Sequence, residues 1–86
     1  MNPITVKVEF WGPAKDLAAV GSEEMTFVRA DGLTIRFLRD RVCERFPRLA
    51  NGARSLRFAV GDEFVQGNHK LNDGDVVSVI PPVSGG

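Results

Sequence analysis

Only one stretch of this chain carries the repeat of a long helix, and the segments around it alternate like strands. From Thr34 onward, Ile35, Leu38, Val42 and Phe46 recur at spacings of three and four, so they share one helical face. Thr34 stands where an N-cap belongs. Phe37 occupies the position from which a Glu or Gln would reach back, so a capping box is absent. Pro47 marks the approximate end of the helix. A helix with one apolar face must bury it, and here the surface it covers must be a sheet.

The strands follow from period-two patterns. Ile4, Val6, Val8 and Phe10 alternate with Thr5, Lys7 and Glu9, which is a half-buried strand, and Trp11 continues its outer phase. Lys15 to Ala19 reads as a short helical turn closed by Gly21. Glu24 to Arg29 reads as a second strand with Met25 and Phe27 inward, broken at Ala30-Asp31-Gly32. Leu56, Phe58 and Val60 start a third, and Gly61-Asp62 turns it into a return strand beginning at Phe64-Val65. Gly67-Asn68 breaks the return, Asn72-Asp73-Gly74-Asp75 is another turn, and Val76 to Ile80 is the last strand. The fold class is α+β, a mixed five-stranded sheet with one main helix packed across it. The first and last strands are the most apolar and are expected at the centre, as parallel neighbours.

Composition narrows what such a domain does. With 86 residues, 43% of them hydrophobic, the chain is one domain with a modest core. Eleven acidic and eleven basic residues balance, so no net field draws it to nucleic acid or an anionic membrane. The arginines at 36, 39, 41, 45 and 48 are interrupted by Asp40 and Glu44 and read as a solvated helix face. Cys43 is the only cysteine and lies in the apolar-periodic segment, as a small hydrophobe would. The only histidine, His69, sits in a polar turn, and no metal-ligand spacing occurs. There is no secretion-signal pattern and no membrane-spanning segment, so a cytoplasmic protein is expected. No catalytic constellation and no phosphate-cradling loop is present, so catalytic machinery is expected from partners.

The remaining feature is the ending, Pro81-Pro82-Val83-Ser84-Gly85-Gly86. Proline fixes φ and donates no hydrogen bond, so Pro81 and Pro82 stop the strand and favour an extended segment. Gly85 and Gly86 put a carboxylate at the tip of an arm without side chains, able to enter a narrow channel. Fully extended, the arm spans roughly 20 Å. A frayed terminus also ends in small residues. The Pro-Pro pair directly after an apolar strand favours a presented arm, with residues 1–80 as the domain and 81–86 as the tail.

This strand order, the Leu71-Asn72-Asp73-Gly74-Asp75-Val76 turn and the Pro81-to-Gly86 ending resemble the ubiquitin-like, β-grasp sulfur carriers that form the small subunit of molybdopterin synthase. The resemblance implies a cycle. An E1-like adenylating partner uses ATP to activate the Gly86 carboxylate, and a sulfur donor converts it to a thiocarboxylate. The tail, Pro81 to Gly86, then enters the large subunit and gives sulfur to a cyclic pyranopterin monophosphate. The assembly implied is two large and two small subunits, with no cofactor bound by this chain. The resemblance also implies that Trp11, Phe64 and Ile80 form an apolar patch that docks both partners. The interleaved Lys7, Lys15 and Arg57 read as a charged rim to it. A thiamine-type carrier, a ubiquitin-like protein modifier and a plain interaction module remain as alternatives.

Overall fold

Strand β1 (Ile4–Phe10) buries Val6, Val8 and Phe10 and turns Lys7 to solvent, as its alternation predicts. The computed structural model describes residues 3–28 and 32–82. The elements after β1 are α1 (Pro13–Ala18), β2 (Ser22–Phe27), β3 (Leu33–Thr34), α2 (Ile35–Arg45), 3₁₀ turns over Pro47–Ser55, β4 (Arg57–Val60), β5 (Glu63–Val65), β6 (Lys70–Leu71) and β7 (Val76–Ile80).

Five strands form one sheet in the order β2-β1-β7-β4-β5. β1 and β7 run parallel at its centre, Val8 opposite Val77 and Phe10 opposite Val79. The other neighbours are antiparallel. Helix α2 lies across one face. Its Ile35, Leu38, Val42 and Phe46 join Val6, Val8, Phe10, Phe58, Val77 and Val79 in a single buried cluster. This is the β-grasp, ubiquitin-like fold. Thr34 caps α2 as read: its hydroxyl accepts from the Phe37 amide at 3.3 Å. Phe10 and Phe46 meet edge to face, ring centroids 5.0 Å apart, which ties the end of α2 to the central strands.

Several boundaries differ from the sequence reading. The first helix begins at Pro13, whose fixed φ suits the first helical position, and it is closed by Ala19 at φ 65 rather than by Gly21. Strand β2 begins at Ser22 because its pairing with β1 extends to Glu9, and it ends at Phe27 opposite Ile4. Arg29, Ala30 and Asp31 lie outside the described residues. The segment after Pro47 is 3₁₀ with a non-helical Gly52, and it buries Leu49 under the end of α2. The pair β3 and β6 was not foreseen. At two residues each, these strands are too short to show a period.

The Asn72–Asp75 turn is pinned to the start of β1. The Thr5 amide donates to Asp73 Oδ1 at 2.8 Å, and the Gly74 amide donates to the Thr5 carbonyl at 2.8 Å. Gly74 holds φ 90, a conformation that glycine reaches without strain. This clamp sets where β7 starts against β1, and so where it ends.

Candidate functional site

At the end of β7 the chain leaves the sheet, and the surrounding hydrogen bonds explain why. In the parallel ladder the Lys7 amide donates to the Asp75 carbonyl at 3.0 Å, and the Trp11 amide donates to the Val79 carbonyl at 3.1 Å. The next rung would run from the nitrogen of residue 81 to the Trp11 carbonyl. Pro81 has no hydrogen there. The Trp11 carbonyl instead accepts from the Ala14 amide at 3.0 Å, in the first turn of α1. Both sides of the ladder therefore end at one level. Pro81 is half-buried, Pro82 is exposed, and neither is in a strand. Val83, Ser84, Gly85 and Gly86 lie outside the described residues.

Alternation places Trp11 and Ile80 on the face away from α2. Phe10 and Val79 are opposite each other and buried, so the residues after them point the other way. Arg57 is the cross-strand partner of Ile80, and Phe64 is the partner of Ala59, which in turn faces Ser78. The outer face thus carries Trp11, Ile80, Arg57 and Phe64 in adjacent rows around the departure point. Trp11 is 54% exposed and Phe64 61%, while Ile80 is half-buried. The Arg57 guanidinium lies over the Phe64 ring, 4.9 Å from its centroid. That stacking holds a large exposed ring in place.

The three charged residues read as a rim part company. Arg57 lies within the patch rather than around it. Lys15 lines a shallow recess beside Trp11. Lys7 pairs with Glu9 at 3.7 Å and sits opposite Val76, at the other end of β7.

The titratable side chains elsewhere are dispersed. Among the described residues, no group of three or more His, Cys, Asp or Glu could hold a metal ion. Cys43 is half-buried on α2, and burial pushes its thiol pKa up, against a smaller downward pull from Arg39. His69 serves through its backbone, whose carbonyl accepts from the Ile35 amide at 3.0 Å. No described helix is long and apolar enough to cross a membrane.

The ThiS family model matches residues 8–86, nearly the whole chain and through the final glycine. This chain belongs to the ThiS family. It is 34% identical to the molybdopterin synthase sulfur carrier subunit of Chlamydomonas reinhardtii, over 94% of this chain and 98% of that one. Among solved structures, one from Pyrococcus furiosus, assigned as molybdopterin converting factor subunit 1, superposes with a TM-score of 0.80. It is 28% identical and covers 93% of this chain and 99% of its own. The complex of subunits 1 and 2 of molybdopterin-converting factor from Helicobacter pylori contains a chain 28% identical to this one. That match has a TM-score of 0.63 over 96% of this chain and all of the other.

Proposed function

We propose that this chain is the sulfur-carrying small subunit of a molybdopterin synthase. The observation that carries the reading is the apolar, arginine-buttressed face gathered around the place where Pro81 frees the chain from the sheet. Such a face holds a partner while residues 81–86 reach into it. The large subunit is that partner, in keeping with the two-subunit Helicobacter pylori complex. The site of action is the cytoplasm, and the assembly is two large and two small subunits.

The chemistry follows from the weakness of a carboxylate as an electrophile. Its charge repels nucleophiles, and oxide is a poor leaving group. An E1-like partner joins the Gly86 carboxylate oxygen to the α-phosphorus of ATP and releases pyrophosphate. The resulting acyl-adenylate has AMP as its leaving group. Hydrosulfide supplied by the sulfur donor attacks the acyl carbon, AMP departs with the bonding pair of the acyl–oxygen bond, and a terminal thiocarboxylate remains. Docked on the large subunit, that sulfur attacks a carbon of the cyclic pyranopterin monophosphate and displaces an oxygen substituent; water then cleaves the acyl–sulfur bond, leaving sulfur on the pterin and a carboxylate on Gly86. Gly85 and Gly86 offer no side chain to obstruct either reaction, and Pro81, Pro82, Val83 and Ser84 thread the channel. Trp11, Phe64 and Ile80 supply docking area for both partners.

Intact mass after incubation with the cognate adenylating enzyme, ATP and sulfide tests the first half. The expected gain equals sulfur replacing oxygen and is absent when Gly86 is removed. Mixing the charged carrier with the large subunit and the pterin precursor tests the second half, with dithiolene formation expected. Charging without transfer to the pterin would assign the carrier to another pathway, such as a thiamine-type one. No charging at all would sink the carrier reading.

A further inference from the structure

The arginines of α2 are not one solvated face. Arg41 is held by Glu44 at 3.1 Å and Arg45 by Glu23 at 3.0 Å. Arg39 reaches only its neighbour Asp40, at 3.6 Å, and Arg36 forms no ion pair among the described residues. These two line an open groove of about 290 Å³ between α2 and β5, and Arg57 of β4 lines it with them. Leu56, Phe58 and Phe64 line it as well. Among the described residues, no carboxylate lines the groove.

Three arginines beside apolar side chains favour an anion, and continuity with the docking face narrows which kind. A phosphate at a helix start is usually held by free amides. Here the first amides of α2 are taken: Ile35 donates to the His69 carbonyl at 3.0 Å, Arg36 to the Gly67 carbonyl at 2.8 Å, and Phe37 to the Thr34 hydroxyl at 3.3 Å. Only side-chain forks remain, and these match carboxylates and phosphates alike in bidentate pairs. The groove also continues the docking patch, because Phe64 and Arg57 belong to both.

We infer that this groove captures an acidic segment of the large subunit, with Asp or Glu carboxylates on Arg36 and Arg39 and an apolar neighbour against Phe64. The inference rests on the sulfur-carrier reading for the partner's identity. Docking is then bipartite: an apolar contact around Trp11 and Ile80, and a charged one along α2 that orients the carrier while the tail enters.

The test compares two charge-matched variants for binding to the purified large subunit by surface plasmon resonance. R36E/R39E reverses the groove. R48E/R54E makes the same change in net charge at arginines outside it. Melting curves are taken first, and R36Q/R39Q, with R48Q/R54Q as its control, replaces the glutamate pairs if the R36E/R39E melt shifts. The expected result is a loss of at least about tenfold for R36E/R39E at low salt, largely in association rate, shrinking as salt is raised, with R48E/R54E close to wild type. Equal binding by the two variants would overturn the groove. If Trp11→Ala then still abolished binding, the docking reading would survive without it. If Trp11→Ala also bound normally, both would fall. Micromolar binding of inorganic phosphate to the isolated carrier, lost in R36E/R39E, would make the groove a small-anion pocket and overturn the acidic-segment assignment.

Discussion

The two faces of the central sheet are built from alternate residues of the same strands, yet they answer to different forces. On the inner face, Val6, Val8, Val77 and Val79 are fully buried under α2. On the outer face, Trp11 and Phe64 remain more than half exposed. Burial of the inner set supplies the hydrophobic stabilisation of a domain too small for a second core. The outer set gives folding less buried area. Contiguous large apolar groups on a monomer surface mark an interaction site.

The largest effect that would break this comparison lies inside. Leu38→Ala removes a fully buried side chain from the centre of α2. It should cost about 3 kcal/mol in urea unfolding. A loss below about 1 kcal/mol would mean that the helix does not hold the sheet. Next is the outer face: Trp11→Ala or Phe64→Ala should change stability by no more than about 1 kcal/mol. Binding to the large subunit should fall at least about tenfold, as for truncation of an aromatic anchor. The reverse pattern, unfolding with binding retained, would make these residues part of the fold.

A smaller effect is expected at the start of α2. Thr34→Ala removes the hydroxyl that accepts the Phe37 amide and should lower stability by about 1 kcal/mol without touching the outer face. The smallest concerns Cys43. Burial favours its neutral thiol, so alkylation near pH 8 should be slower in the folded protein than in urea. The sign of the linkage follows. The folded pKa is raised, so the contribution to stability is complete below the unfolded pKa and is lost as pH rises through the folded value. Equal labelling rates in both states would show that the thiol is not shielded.

The patch was partly legible before any coordinates. The outward phase of Trp11 follows from counting along β1, and that of Ile80 from counting along β7. Their meeting required β1 and β7 to be neighbours, a statement about two segments far apart in the chain. The role of Arg57 was not legible, because a rim and a ring-stacking residue look alike in one dimension. The same holds for Arg36 and Arg39. Their spacing suggested a solvated helix face interrupted by Asp40 and Glu44, whereas Glu23 from β2 takes Arg45 and none of the described residues lining the groove is acidic.

What the sequence determined by itself is local. The helix from Thr34, the alternating strands, the glycine turns and the stop at Pro81 all follow from side-chain periodicity and backbone chemistry acting over a few residues. The parallel pairing at the centre was expected from the apolarity of the first and last strands, while the tertiary structure decided the rest: the short β3–β6 pair, and the face that Trp11, Ile80, Arg57 and Phe64 share. Those depend on contacts between distant segments, whose free energy appears only when the loops between them have closed.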